Sequence, residues 1–276
     1  MSARKICLVG IVSVLVGVLG LYVPGASGAV THTLTDGNSV AEFDLTSAAG
    51  LQNWFVDGID HLQQQWFWYR VGALGQETSI DNLTLSMAKL SDTNEDPGMD
   101  TLYVKYLGTN VKLELTFLLT GGSTGSYMSD IAETIRITNT STGKTSFDFH
   151  FFEFLDFDLN NDGSNDTAEI TGSNTAKQTA PAVFYAEEVV TPTPNHHAVS
   201  NDGSILASLT DTGATTLDDS VGPVTGDTSF AFEWDWNIAA GKSVVISKDK
   251  NILPEPATLG LMGLGAAVMV FGRRKK

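Results

Sequence analysis

Short runs of alternating apolar and polar residues are the feature that most limits how this chain can fold. Leu102–Leu107 and Val111–Phe117 alternate in this way on either side of Gly108-Thr109-Asn110, which predicts a β-hairpin with a three-residue turn. Ile131–Thr138 alternates as well, and the phenylalanines of Phe147–Phe151 stand at every second position. These two runs predict a second hairpin.

The rest of the body continues the same pattern, with no helical period apart from a short turn predicted within Leu45–Trp54. Phe230–Asn237 and Ser243–Ser247 predict two further strands. The predicted loops are the segments rich in Gly, Pro, Ser, Thr or Asp, namely Gly121–Ser129, Thr171–Ala180, Thr191–Ser204 and Asp211–Asp227. The sequence therefore predicts an all-β protein whose body, residues 30–251, forms one antiparallel, jelly-roll-like β-sandwich.

The body is strongly acidic and contains no cysteine. Residues 30–251 hold 10 Lys and Arg against 31 Asp and Glu, a net charge of −21. Such a surface repels nucleic acid, so no nucleic-acid partner is expected. The single cysteine, Cys7, precedes the body, which excludes a disulfide framework, a thiolate metal site and a cysteine nucleophile within it.

The first 29 residues are typical of a secretory signal peptide. Arg4 and Lys5 precede an apolar run, Ile6–Val23, and the small residues Ala26–Ala29 follow it. The pattern predicts export and cleavage after Gly28 or Ala29. The alternative is an uncleaved N-terminal anchor.

The last 25 residues, 252–276, have three parts. Pro254-Glu255-Pro256 comes first, the apolar stretch 257–271 follows, and the basic tail 273–276 contains Arg273 and Arg274. Fifteen helical residues rise about 22 Å, so the stretch predicts a marginal transmembrane helix. The terminal cations place its end in the cytoplasm and the body outside.

This order of motif, apolar helix and basic end resembles the PEP-CTERM sorting signal of Gram-negative bacteria that make exopolysaccharide. The resemblance implies processing by an exosortase, an inner-membrane-anchored precursor, and delivery to the cell surface or biofilm matrix. The sequence departs from the family pattern by ending in Lys275-Lys276, where arginine is favoured. The alternative is an ordinary C-terminal anchor that is not cut.

One loop has the spacing of a calcium site. Carboxylate, amide and hydroxyl residues recur at alternate positions around Gly163. A glutamate follows Gly163 after five intervening residues, as in an EF-hand loop. The candidate ligands are Asp158, Asn160, Asp162, Ser164, Asp166 and Glu169. The flanks are strand-like rather than helical, so the alternative is a solvated hairpin loop whose side chains cap their own backbone.

Two further features bear on function. Trp54, Trp66 and Trp68 suit stacking against sugar rings, although packing in the core is the other interpretation of these residues. Glu153, Asp156 and Asp158 supply carboxylates of the kind that glycosidases use in pairs, but an acidic chain brings such residues together by chance. No nucleophile elbow or phosphate-binding loop occurs.

These observations predict an exported, non-catalytic surface or biofilm-matrix protein that associates with extracellular polysaccharide. No cofactor is predicted except calcium. The alternative is a secreted glycan-active hydrolase, or a carbohydrate-binding module, with the same sorting tail.

Overall fold

The computed structural model describes residues 31–143, 145–181 and 183–255, which form two β-sheets packed face to face. The predicted signal peptide and the predicted C-terminal helix lie outside these residues. Within the described part, no helix combines the length and the apolarity needed to cross a membrane.

The two sheets contain nine strands each. In spatial order, the first sheet consists of β1 (Thr31–Asp36), β2 (Ser39–Asp44), β3 (Gly50–Val56), β5 (Leu62–Val71), β11 (Phe147–Phe157), β17 (Ser229–Ile238) and β15 (His196–Ser200), with β4 (Ile59–Asp60) paired to β3 and β6 (Thr78–Ser79) paired to β5. The second sheet consists of β16 (Val224–Gly226), β12 (Asp166–Thr171), β13 (Thr175–Ala180), β14 (Phe184–Thr191), β18 (Ser243–Pro254), β10 (Ser129–Asn139), β9 (Val111–Gly121), β8 (Thr101–Leu107) and β7 (Thr84–Ser91). One α-helix, α1 (Ser204–Thr210), and short 3₁₀ turns at Ile80–Asn82, Leu159–Asn161 and Gly163–Asn165 complete the described elements.

The predicted antiparallel sandwich is confirmed as two packed sheets in which every ladder except β3 with β5 is antiparallel. Each sheet has nine strands, whereas a jelly roll has eight in all. The β8–β9 hairpin follows the prediction. The predicted pairing of β10 with β11 is wrong, because β10 pairs with β9 and β18 whereas β11 pairs with β5 and β17. The chain crosses from one sheet to the other between them.

Apolar side chains on the facing sides of the sheets form the core. Phe43 of β2 meets Phe117 of β9 with ring centroids 4.8 Å apart, which joins the first sheet to the second. Within the first sheet, Phe67 of β5 stacks on Phe151 of β11 at 5.5 Å. Such aromatic pairs add stability beyond the apolar area that they bury.

Three segments predicted as loops contain strands, and one of them, Asp211–Asp227, includes β16. The predicted loop Thr171–Ala180 includes β13, and the predicted loop Thr191–Ser204 includes β15. In β13 the inward-facing residues are Ala176, Gln178 and Ala180, which are too small or too polar to give a strong apolar alternation.

A hydrogen bond between the sheets gives the first testable prediction. Trp54 Nε1 donates to Ser129 Oγ at 3.0 Å, and both residues are buried. Replacing Ser129 with alanine leaves the indole N–H without its acceptor, so we expect Ser129→Ala to lower the free energy of unfolding by about 1–3 kcal/mol. Ser123→Ala, in an exposed turn, is the matched control and should change it by less than about 0.5 kcal/mol. Denaturant unfolding of both variants measures the difference, and equal stabilities would contradict the assigned bond.

Candidate functional site

Three titratable side chains lie together on the outer face of the first sheet, the face turned away from the second sheet. In β11, Glu153 points to the second sheet, so the alternating residue His150 points outward. His150 lies directly across from Asp235 of β17, and Glu233 is on the same face, one row away. The group is therefore assembled by cross-strand register.

His150 connects the other two. Its Nδ1 is hydrogen-bonded to Asp235 Oδ1 and lies 3.8 Å from Glu233 Oε1. The His150 side chain is 15% exposed and that of Asp235 is 29% exposed, whereas that of Glu233 is 1% exposed. The imidazole thus stands between a buried carboxyl group and one that reaches solvent.

The Glu233 side chain is divided between its protonated and ionised forms at neutral pH, because its pKa is raised. Its Oε2 accepts a hydrogen bond from the Leu217 N–H at 2.8 Å, and its Oε1 has no hydrogen-bond partner among the described residues. Burial raises the pKa of Glu233 to about 7, with a further contribution from the charge of Asp235. A carboxyl group with such a pKa can donate a proton at neutral pH.

A cover segment, residues 211–220, crosses this outer face and is fastened to it. Arg70 Nε donates to Glu77 Oε1 at 2.9 Å, and Thr215 donates its N–H and its hydroxyl to the two oxygens of Glu77 at 2.9 Å each. Arg70 also donates from Nη2 to the Thr215 carbonyl oxygen at 3.1 Å. Because Arg70 and Glu77 are buried, this charged pair is a rigid attachment point for the cover segment.

A polar pocket of about 530 Å³ lies under the cover segment and α1. Its lining is rich in hydroxyl groups and carboxylates, among them Ser200, Asp202, Ser204, Ser208, Asp211 and Asp218. Leu217 also lines the pocket, and its N–H is the group that binds Glu233. Leu217 therefore contacts the proton-transfer group and also borders the pocket, while Glu233, His150 and Asp235 are not among the residues that line it. Hydroxyl and carboxylate groups around a cavity are suited to binding the hydroxyls of a sugar.

A second cluster involves the predicted calcium loop. Carboxylate oxygens of Asp156, Asp158 and Asp227 lie within 4.8 Å of one another at the end of β11. Burial, with the neighbouring aspartates, raises the pKa of Asp156 to about 8 and raises that of Asp158. Gly163 lies against this cluster, where a Cβ would collide with Asp158 Oδ1. Closely spaced carboxylates of this kind can hold a hard cation.

The structure brings together only some of the predicted calcium ligands. Asp162 accepts hydrogen bonds from Ser164 N–H and Ser164 Oγ, which is the self-capping arrangement of a turn. Asp166 points inward, where it accepts from Gln178 Nε2 at 2.7 Å. Asn160 adopts a positive φ of 65°, and its N–H donates to His61 Nδ1. Glu169 lies on the opposite face of β12 from Asp166, across from Lys177.

The structure places the predicted stacking residues Trp54, Trp66 and Trp68 in the core. They are 0%, 1% and 2% exposed, so none of them presents a ring face to solvent. Trp66 Nε1 donates to Asp81 at 3.2 Å, and Trp68 meets Phe154 edge to face. This arrangement agrees with core packing, the other interpretation of these residues.

Sequence reasoning alone did not identify the His150 group. His150 lies more than 80 residues before Glu233 and Asp235, and the pairing of β11 with β17 brings them together. The alternation of Asp148 and His150 with phenylalanines, and of Glu233 and Asp235 with tryptophans, indicates two polar-faced strands. Without the pairing register, that pattern does not connect them.

Solved structures with a similar fold include one sugar-active enzyme with a TM-score above 0.5. A bacterial glucoamylase complexed with acarbose superposes with a TM-score of 0.52 and 9% identity, over 85% of this chain and 34% of the glucoamylase, so this chain spans about a third of that enzyme. The Slr1438 protein of Synechocystis sp. PCC 6803 superposes with a TM-score of 0.52 and 9% identity, over 82% of this chain and 96% of that protein. A galactose mutarotase related enzyme of Lactobacillus acidophilus gives a TM-score of 0.47 and 6% identity, over 82% and 98% of the two chains. No curated protein matches the sequence.

These likenesses correct one prediction. The sequence indicated a non-catalytic body, and that prediction is contradicted because the sandwich is similar in fold to about a third of a sugar-active enzyme, the glucoamylase. At this identity the likeness shows the fold alone, and an activity has to be argued from the site.

A family model matches the C-terminal motif of the chain. Residues 253–276 match the PEP-CTERM protein-sorting motif. Pro254 ends β18, and the Glu255 N–H donates to the Val183 carbonyl oxygen at 3.0 Å, so the motif begins where the sandwich ends. Pro256, Arg273 and Arg274 lie outside the described residues. The motif implies export, a membrane-anchored precursor and processing by an exosortase. The chain is thus a protein with a C-terminal PEP-CTERM sorting motif.

Proposed function

We propose that the body is an exported glycan-active hydrolase, with Glu233, His150 and Asp235 as its proton-transfer group and the polar pocket under the cover segment as its sugar site. The observation that carries the proposal is the buried Glu233 carboxyl group beside the partly exposed His150–Asp235 pair. The glucoamylase of similar fold was solved with acarbose, which makes sugars the first ligands to test.

The chemistry of glycoside hydrolysis requires an acid and a base. Glu233, with a pKa of about 7, is suited to protonate the leaving oxygen. Asp235, which reaches solvent and is hydrogen-bonded to His150, is suited to attack the sugar as the nucleophile, and Glu233, once it has given up its proton, is suited to activate the water that releases the sugar. Ligand atoms of the three residues lie within 4.8 Å of one another, close to the spacing of about 5 Å between the carboxyl groups of retaining glycosidases.

The test of this proposal is the isosteric variant Glu233→Gln. The glutamine amide cannot supply the proton that the Glu233 carboxyl group would give to the leaving oxygen. We therefore expect the release of reducing ends from extracellular polysaccharide to fall by about 10²–10⁴-fold. Glu95→Gln, at an exposed loop position, is the control and should retain the wild-type rate. In the wild type, the rate should fall as pH rises above about 7, because Glu233 loses its proton there. Polysaccharide binding without release of reducing ends, or equal rates in both variants, would exclude the hydrolase.

Calcium binding remains a separate proposal, with the site at Asp156, Asp158 and Asp227. Calcium takes several oxygen ligands in a flexible geometry, and these carboxylates already lie close together. A cation that binds only the folded state raises its stability, by roughly 1.4 kcal/mol at ten times Kd.

We therefore expect Ca²⁺ to raise the thermal midpoint more than Mg²⁺ does, and Asp227→Asn to remove that difference. Glu169→Gln distinguishes this cluster from an EF-hand-like ligand set, because Glu169 lies on the other face of its strand. It should leave the Ca²⁺ effect unchanged. A loss of the effect in Glu169→Gln but not in Asp227→Asn would assign the site to the EF-hand-like set instead, and equal shifts in both ions would leave only general screening.

The sorting motif leads to a prediction about location. Replacing Glu255, or all four basic residues 273–276, removes the recognition motif or the positive-inside anchor. Both variants should stay in the inner membrane or be misdirected, whereas Glu95→Gln should reach the surface. Cell fractionation with an antibody to the body measures this, and normal surface delivery of both tail variants would contradict sorting by the motif.

A further inference from the structure

Six polar side chains meet between the two sheets, out of contact with solvent. The first sheet contributes Gln65 of β5 and Glu153 of β11. The second sheet contributes Glu133 of β10, Glu188 of β14, and Lys248 and Lys250 of β18. The side chains of the five ionisable residues are 0% exposed, and the Lys248 ammonium group lies 5.0 Å from the centre of the Phe67 ring. We call these six residues the inter-sheet cluster.

Gln65 has the central position in the inter-sheet cluster. Its carbonyl oxygen, Oε1, accepts a hydrogen bond from Lys250 Nζ at 2.6 Å. Its amide nitrogen, Nε2, donates to Glu133 Oε2 at 3.2 Å and to Glu153 Oε1 at 3.0 Å. Both atoms are bonded to the amide carbon, Cδ. The carbon that an amine would attack is therefore bonded directly to the oxygen that contacts Lys250 Nζ.

Glu133 bridges the amine and the amide. Its Oε1 is hydrogen-bonded to Lys250 Nζ, while its Oε2 accepts from Gln65 Nε2. One carboxyl group thus touches the nitrogen that would attack and the nitrogen that would leave. This is the position that a proton carrier needs in an amide exchange.

We propose that Lys250 and Gln65 form an intramolecular isopeptide bond that links the two sheets covalently, with Glu133 as the proton carrier. The proposal does not depend on the hydrolase function or on calcium.

The reaction balances without an external reagent. Lys250 gives a proton to Glu133, and the resulting amine attacks Gln65 Cδ, so that the Nζ–Cδ bond forms. Glu133 delivers the proton to Gln65 Nε2, the Cδ–Nε2 bond breaks, and ammonia leaves. The second proton of the attacking nitrogen passes through Glu133 to the ammonia. An ammonium side chain and a primary amide become a secondary amide and an ammonium ion, with no change in oxidation state.

The surroundings favour this exchange. Burial would raise the pKa of Glu133, but the charges of Lys248 and Lys250 outweigh it and lower the pKa, so Glu133 is ionised and can take a proton. Burial raises the pKa of Glu188 to about 8. Glu188 is therefore protonated at neutral pH, and its Oε1 lies 3.1 Å from Lys248 Nζ. Reacting groups that a dry cavity holds next to each other react as if they were present at a high local concentration.

The mass of the protein, isolated after export by its host, tests the proposal. Fragments that contain the bond should be about 17 Da lighter than their sequence requires, through the loss of ammonia. In a tryptic digest, the peptide that ends at Arg70 should be joined to a peptide that contains an uncleaved Lys250. Separate, unmodified Gln65 and Lys250 peptides would show an ion-pair network only. A loss of about 18 Da would show water as the leaving group, and with it a glutamate as the electrophile, which would also overturn the assignment to Gln65.

Three variants separate the chemistry from the packing. Glu133→Gln keeps the shape but removes the proton carrier, and Lys250→Arg keeps the charge but removes the nucleophilic amine. Both should restore the mass that their sequences require. Lys242→Arg, at an exposed position just before β18, is the matched control and should retain the cross-linked peptide pair. If a variant fails to fold, the mass of the wild type alone decides the question. A cross-linked pair in Lys250→Arg would overturn the proposal.

Discussion

The inter-sheet cluster is the constraint on which the rest of this sandwich depends. Moving an ammonium or a carboxylate group out of water costs several kcal/mol, and that cost is offset only when partners are placed with good geometry. Lys248 and Lys250 can find those partners only if β18 lies between β10 and β14 and also faces β11 across the core. A shift of β18 by one residue would turn both lysines to the outer face and leave the buried glutamates unpaired.

This constraint also explains how the outer face of the first sheet becomes available for chemistry. Because the odd-numbered residues of β11 are directed to the second sheet, the even-numbered residues His150 and Asp156 are directed away from it. The cover segment then buries Glu233 but leaves His150 and Asp235 partly open. The ion pair of Arg70 and Glu77, which fastens that segment, is also buried. The proposed site is therefore positioned by a second set of buried charges.

The sequence predicts the strands of this fold better than it predicts their partners. Alternation identified β8, β9, β10, β11 and β17, because large apolar residues on one side of a strand leave a clear period of two. The same period does not state which strand lies alongside, which is why the pairing of β10 with β11 was wrong. It also missed β13, whose buried positions hold alanine and glutamine.

The candidate site has the same limit. The spacing from Asp158 to Glu169 suggested a local metal loop, since all of its members are close in sequence. The structure groups Asp158 with Asp156 and with Asp227, which is distant in sequence and arrives through the β16–β17 connection. Likewise Glu233 reaches His150 only through the register of β17 against β11. Sequence therefore reveals local ligand patterns, whereas sites assembled across strands require the topology.

The carboxyl groups of this acidic chain differ in chemical role because the fold exposes them differently. Asp202 is exposed, and hydrogen bonds from Ser200 and Ser204 lower its pKa to about 2, so it remains charged and favours solubility. Burial raises the pKa of Glu233 to about 7, which allows it to donate a proton at neutral pH. Glu188 and Glu133 lie in one dry cluster, yet only Glu133 contacts both lysines, and only its pKa is lowered. The chemical role of each carboxyl group in this chain is therefore determined by its hydrogen-bond and charge partners and by its burial.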